Sequence, residues 1–567
     1  MRAHLEDLGR AEGARGSTRR HAQGAHYTPE PLVSWVFGTA LDSTLHSTRG
    51  EAIGARGLRG ERVPTVLDPA CGAGNFLVEA ARRLAALGWP MATVLAQGVF
   101  GVDIDARAIE LCRGRLLELC AHGTSSEERA RVELALRRHV VVGDSLDAGP
   151  VAALRPAGAE IGGFDLVVGN PPFLNRLERA TALEKRRVEA LRRRHPGALG
   201  RYADAACAFL LDGLEALRPG GAVAFVMPQS FLSAAEAGAT RARLLERGEL
   251  TAIWSCDERL FSEAQVAVCA VCLRRNNEAR GQPIARALGA DFAPVSAWTG
   301  LPPAGDEPWS PMLAEAAGVP DVSRTVAASA ALSTIATATA DFRDQYYGLR
   351  GALCESDDPA IDARPMLVTT RHVDLARCAW GEVPVRIHGA AWTRPCVDRA
   401  RLASDAAMTR WLASRLVPKV LVATQTRILE AVVDAEGAWV PLVPLVTVLP
   451  RGRTERDLWR VAAAIASPVS VAHAASHAYG SALSPSALKL SARQVLALPL
   501  PSDESRWDRS ADALSRASRA TSDEARCRAL EEFAAIACSA YGLKASEERR
   551  VLDFWRARAG FAASTAT

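Results

Sequence analysis

At 567 residues the chain has room for two or three domains. Its hydrophobic content of 49% and charged content of 23% are those of an ordinary globular protein with enough apolar surface for full cores. The 68 basic and 64 acidic residues leave a formal charge of only +4, so any groove for nucleic acid must be local.

Residues 1–25 are polar, charged and glycine-containing; they read as a flexible N-terminus, neither a signal peptide nor an anchor. No apolar stretch is long enough to cross a membrane. Twelve cysteines are scattered without a disulfide framework, which predicts a reduced, cytoplasmic setting. Cys269 and Cys272 form the one C-x-x-C, but they sit in the apolar run Val266–Leu273 with no second pair. That spacing predicts a buried strand and no zinc site.

In chain order, Thr28 followed by Pro29 predicts a helix start, with a capping hydroxyl and then a proline in the first turn. Val66 to Leu77 reads as strand, glycine turn and helix. Within it Gly72 and Gly74 allow the backbone to come close to a ligand. No Gly-Lys-Ser/Thr follows, so this is not a phosphate loop. A second strand, Gly98 to Asp105, ends in Asp103, where an acid can accept hydrogen bonds from ribose hydroxyls. A third, Val140 to Asp144, also ends in an acid, able to receive an adenine amino group. Any one of these acids alone reads better as a helix cap or turn residue; three in order, followed by Asn-Pro-Pro-Phe, do not.

The run Phe164–Gly169 then closes on Asn170-Pro171-Pro172-Phe173. A buried parallel strand that stops at this sequence delivers a rigid polar corner to its carboxyl end, where open α/β sheets place their ligands. Asn170 offers a side-chain carbonyl, Pro171 a main-chain carbonyl, and Phe173 a flat apolar face. Two acceptors beside an aromatic platform suit an amino group on a planar base.

Asn175 to Arg201 carries a run of arginines that reads as a solvated helix, with phosphate contact as the sharper alternative. Tyr202 to Leu217 predicts a helix and Ala222 to Met227 a strand; Asp204 either closes the pocket or caps the helix. Apolar alternation fades near Arg274–Asn277, and Leu301–Pro308 reads as a linker. From Ala330 to Pro501 short strands, turns and amphipathic helices alternate, and beyond Trp507 the chain is helical and Ala/Glu/Arg-rich.

These segments resemble the gamma class of N6-adenine DNA methyltransferases, which use S-adenosyl-L-methionine and carry the Asn-Pro-Pro-aromatic tetrapeptide. The resemblance implies an α/β, Rossmann-like methyltransferase domain followed by a mixed α+β target-recognition domain and a helical tail, as in type IIG restriction-modification enzymes. The implied boundaries are 26–280 for the catalytic domain, 281–329 for a linker, 330–501 for target recognition and 502–567 for the tail. The stretch from His26 to Pro31 looks like the motif bordering the cofactor's methionine end, implying roles for Tyr27 and Thr28. Asp68, Ala70, Cys71, Gly72 and Gly74 match the cofactor loop, Asp103 and Ile104 the ribose side, and Asp144 and Ser145 the adenine side. Asn170, Pro171, Pro172 and Phe173 match the catalytic tetrapeptide, with Asn170 also against the cofactor, and Phe261 matches a later aromatic that holds the flipped base. Segments of the second half resemble target-recognition domains, which nominates Arg350, Arg371, Lys419, Gln425 and Arg427 for contact with double-stranded DNA.

The expected reaction is methyl transfer to an adenine N6 in duplex DNA, needing no metal. Any restriction activity would come from a separate nuclease or another defence-system subunit. An RNA-base or protein-glutamine N-methyltransferase poses the same chemical problem and is the alternative, as is a DNA-binding modification subunit dependent on a partner. The large second half favours DNA.

Overall fold

The computed structural model describes residues 28–45, 62–121, 124–155, 162–173, 185–200, 204–256, 258, 260, 267–275, 281–341, 343–358, 362–452, 454–480 and 487–560. Tyr27 and Phe261 lie outside them. The chain divides into two compact units, residues 1–316 and 317–567.

The first unit is built on a nine-stranded sheet. Its strands are β1 (Val66–Asp68), β2 (Val99–Asp103), β3 (Val140–Val142), β4 (Phe164–Gly169), β5 (Leu217–Pro228), β6 (Gly248–Cys256), β7 (Val268–Arg275), β8 (Ile284–Leu288) and β9 (Ala293–Trp298). Their order is β3-β2-β1-β4-β5-β7-β6-β8-β9. The strands from β3 to β5 are parallel, and β7 runs antiparallel between β5 and β6. Strands β1, β2, β4 and β7 are near-continuous apolar runs because both faces are covered. Cys269 and Cys272 are buried in β7, as their apolar setting predicted.

The chain moves outward from β1 through β2 to β3, then returns to the other side of β1 as β4. This reversal opens a crevice at the carboxyl ends of β1 and β4, the usual place for a ligand in such sheets. Register Val66↔Leu166 and Leu67↔Val167 sets Asp68 beside the end of β4. Gly169 is required there: a Cβ would stand 2.8 Å from Asp68 Oδ1. Helix Glu30–Leu45 buries Leu32, Val33, Val36, Phe37 and Ala40 in the core beneath the crevice. Each of the larger side chains, Leu32, Val33, Val36 and Phe37, contributes roughly 1.5–3 kcal/mol.

The interval 281–329 is not a linker. β8 pairs parallel with β6 and β9 antiparallel with β8, extending the sheet, and Trp309, Met312 and Leu313 are fully buried. The loop around Leu301–Pro308 is irregular as expected, but it lies inside the first unit.

The second unit holds two four-stranded sheets. One has the order Ala336–Ala340, Val446–Pro450, Lys419–Ala423, Glu430–Asp434; the other Leu353–Glu355, Pro395–Val397, Met366–Val368, Trp439–Pro441. Leu332 N donates to Leu498 O (2.8 Å) and Leu500 N to Ala330 O (2.8 Å), stitching together the two ends of the 330–501 region. Helices Glu504–Ser518, Asp523–Ala540 and Ala545–Ala559 follow, and Tyr541 anchors them through its hydroxyl on Pro499 O (2.9 Å). The helical tail therefore folds as part of this unit. No single helix among the described residues is long and apolar enough to cross a membrane.

Candidate active site

Three strand ends and one helix start converge on the crevice. β1 ends at Asp68, which is buried and accepts from Ala70 N (3.0 Å), shaping the turn that follows. Burial pushes its carboxyl up to about 8, with the backbone hydrogen bond opposing and the charge of Asp103 adding. Cys71 contributes only main chain to the turn: its N–H donates to Val102 O (3.0 Å), and its thiol packs inward toward Gly101 and Cys112. Gly74 has φ +86°, and a Cβ there would meet Cys112 Sγ at 2.4 Å. Gly72 is different. It has φ +50° and nothing within 4 Å of where a Cβ would stand, so its backbone faces open space.

β2 brings Asp103 to the same space. Its carboxylate accepts from Gly72 N (2.8 Å) and Asp105 N (2.9 Å), which ties the glycine turn to the acid. Burial raises its pKa above the ordinary carboxylate value. Ile104 and Val142 are 55% and 52% exposed, and they border this end of the sheet as apolar walls. Arg115, with no sequence signal to mark it, braces the turn from outside by donating to Ala73 O and Asn75 Oδ1 (both 2.7 Å).

After β3, Asp144 is less free than the sequence implied. It caps the short helix Ser145–Ala148 by accepting from Leu146 N (2.9 Å), and its other oxygen pairs with Arg187. Any role toward an adenine is therefore shared with Arg187. Ser145 is buried and donates its hydroxyl to Pro69 O (2.6 Å), so its side chain braces the loop and does not face a ligand.

The described part of the arginine-rich segment, helix Lys185–Arg194, is only partly a solvated face. Arg186 and Arg193 are exposed, but Arg194 grips Asp212 (Nε–Oδ1 2.9 Å) and donates to Leu146 O and Asp147 O (3.2 and 3.0 Å). His195 and Glu215 lie beside Asp212 within ligand range of one another. The guanidinium already occupies Asp212, so the group is a latch between helices and a poor cation site. Asp204 caps helix Ala205–Ala216 through Ala206 N (2.9 Å), which resolves its two readings in favour of the cap.

β4 delivers Asn170 to the crevice. Its amide Nδ2 donates to Thr28 Oγ1 (2.9 Å), joining residues 142 apart in sequence. Its Oδ1 is buried with no partner among the described residues. Thr28 itself is 4% exposed. Its hydroxyl oxygen serves Asn170; the predicted helix-capping role passes to Pro29, whose carbonyl accepts from Leu32 N and Val33 N (both 3.1 Å). Pro171 is buried, Pro172 and Phe173 are half-buried, and Phe173 packs on the core of the first unit.

Of the candidates in the second unit, Arg350, Arg371, Gln425 and Arg427 are exposed, the last two in the turn between strands Lys419–Ala423 and Glu430–Asp434. Lys419 is corrected. It is fully buried and paired with Asp434, which also accepts from Ala438 N (3.0 Å) and Trp439 N (2.9 Å). A lysine held there is a structural cation and is not available to a phosphate.

The open cradle at Gly72, two acids raised by burial and an orphaned amide oxygen fit a ligand that bears hydroxyls and positive charge. With the order β3-β2-β1-β4-β5-β7-β6 and an antiparallel β7, the first unit is an α/β methyltransferase fold. Its residues 16–286 match the N-6 DNA Methylase family model.

The Type II methyltransferase M.VspI of Vibrio sp. (strain 343) is 26% identical over 171 residues, 30% of this chain and 33% of that one. The Type II restriction enzyme and methyltransferase RM.Eco57I of Escherichia coli is 23% identical over 195 residues, 32% of this chain and 19% of that one. The matched stretches thus span a third or less of these relatives. In fold the likeness is broader. The Type IIL restriction-modification enzyme MmeI in complex with DNA matches 96% of this chain and 80% of its own, at a TM-score of 0.59 and 13% identity. A nuclease-deletion mutant of the Type ISP enzyme LlaGI with a DNA substrate mimic matches 87% and 55%, at a TM-score of 0.52 and 10% identity.

Proposed function

We propose that the protein is a site-specific DNA methyltransferase that transfers a methyl group from S-adenosyl-L-methionine to the N6 amino group of an adenine in double-stranded DNA. Its setting would be a restriction-modification or other phage-defence system. A separate nuclease or defence subunit is the proposed partner for any cleavage. The observation that carries this reading is the buried, unpartnered Oδ1 of Asn170 at the carboxyl end of β4.

An adenine amino nitrogen is a poor nucleophile because its lone pair is delocalised into the ring. Asn170 Oδ1 would accept one amino hydrogen and the Pro171 carbonyl the other, localising that lone pair. Leaving a buried acceptor unmade costs roughly 1–3 kcal/mol, which the incoming amino group restores. S-adenosyl-L-methionine supplies an activated methyl group when bound. Asp103 would hold its ribose hydroxyls, with Ile104 and Val142 against its purine ring and the Asp68 turn near its charged end. Positioning then contributes several kcal/mol, up to roughly ten. The target base must leave the duplex at a cost of a few kcal/mol. Stacking on Phe173, and on Phe261 as the second candidate, would offset about 1–3 kcal/mol per base. Target recognition is assigned to residues 330–501, where Arg350, Arg371, Gln425 and Arg427 are the exposed candidates for base edges and phosphates.

Asn170→Ala tests the reading. Methyl transfer should fall by at least about a hundredfold, while the calorimetric affinity for S-adenosyl-L-methionine stays within about threefold, under half of the 1.4 kcal/mol that a tenfold change represents. Joint loss of both would make Asn170 a structural residue.

A further inference from the structure

An asparagine amide has two chemically opposite ends, and only one of them can activate an amino group. The carbonyl oxygen accepts an amino hydrogen; the NH2 end presents donors to a donor and would repel it. Rotation of the Asn170 side chain by half a turn would therefore exchange a catalytic group for an obstructive one, with no change in packing volume.

We infer that Thr28 is the positioning residue that fixes this choice. Its Oγ1 lies 2.9 Å from Asn170 Nδ2, and it is 4% exposed, so water cannot readily take its place. By accepting from Nδ2 the hydroxyl holds the amide with Oδ1 turned away from it, and that Oδ1 is the buried atom with no other described partner. Two features keep Thr28 in place. Pro29 fixes the backbone that follows it, and the Pro29 carbonyl is held by the first amides of helix Glu30–Leu45. That helix is in turn anchored in the core by Leu32, Val36 and Phe37. The amide orientation is thus set from the N-terminal helix and not from β4, which carries Asn170. Donation in the other sense, from the Thr28 hydroxyl to the amide oxygen, would use up the acceptor the reaction needs. The inference rests on the methyl-transfer reading for its consequence, but the orientation itself can be measured independently of that reading.

The test uses the full chain and two substitutions. Thr28→Val keeps the shape and removes the hydroxyl; Thr28→Ser keeps the hydroxyl. In deuterated protein with 15N-labelled asparagine, the Asn170 side-chain signal is assigned by its disappearance in Asn170→Asp. One of its two amide protons should be protected from exchange in the parent and in Thr28→Ser, and unprotected in Thr28→Val. With saturating S-adenosyl-L-methionine and substrate, kcat should fall by at least about tenfold in Thr28→Val, or about 1.4 kcal/mol of barrier, and recover to within about threefold in Thr28→Ser. Unchanged protection in Thr28→Val, or equal loss of kcat in both variants, would overturn the inference. Protection that follows the hydroxyl while duplex DNA receives no methyl group would preserve the orientation and reject the substrate reading instead.

Discussion

Asp68 and Asn170 stand at neighbouring strand ends, and both carry a cost that folding alone does not explain. Burial holds the Asp68 carboxyl up to about 8, far above the ordinary carboxylate value of 3.8. A raised folded-state pKa means the folded protein binds the proton more tightly than the unfolded chain does. Its stabilising contribution is therefore complete below about pH 4 and is lost as pH rises through about 8. Denaturation of Asp68→Asn measured from pH 4 to 9 should show a flatter decline of stability with pH than the parent, with the curves diverging most at the alkaline end. The same acid should favour a cationic ligand more as it ionises, so cofactor affinity should rise between about pH 7 and 9 in the parent and not in Asp68→Asn. Asn170 was legible in the sequence because a β-branched run ending in Asn-Pro-Pro-Phe has few structural uses. Its partner Thr28 was legible only as a helix start, since nothing local links residues 142 positions apart.

At the scale of the element, the glycine turn after β1 is held by steric necessity. Gly74→Ala would place a methyl group 2.4 Å from Cys112 Sγ at φ +86°, so it should destabilise the protein by about 2–4 kcal/mol. Gly74→Ala/Cys112→Ala should recover the steric part but not the left-handed strain, as read by chemical denaturation of the two variants. This turn was readable because strand, glycine and helix follow within a dozen residues. β8 and β9 were not. Ile284–Leu288 sits between Gly281-Gln282-Pro283 and Gly289, and it carries Arg286 in its middle, so its composition reads as a break. Arg286 is nonetheless buried, donating to Ser296 O and Ser296 Oγ. Its strand is made by pairing with β6, more than thirty residues away, which no local pattern reports.

Across the whole molecule, the two halves differ in how much chemistry their sequences reveal. The first unit holds the candidate active site, and the proposed reaction demands particular atoms at strand ends, which form motifs. The second is recognised by order and fold, and its charged residues divide between surface and core in ways composition does not show. Lys419 is the clearest case: one of four lysines in the chain, it is buried against Asp434 between two strands. Lys419→Ala should leave Asp434 uncompensated and lower stability by roughly 3–5 kcal/mol. Exposed Arg371→Ala should instead leave the melting temperature nearly unchanged, so thermal melts of the two variants separate a structural cation from a surface one.

The proposed reaction is methyl transfer to adenine N6 in duplex DNA. Its most direct test is transfer of label from S-adenosyl-L-methionine to unmethylated duplex DNA, with RNA and a protein extract in parallel, followed by mapping of the modified base. N6-methyladenine is expected at one short sequence motif. Label in RNA or protein with unlabelled DNA would contradict it.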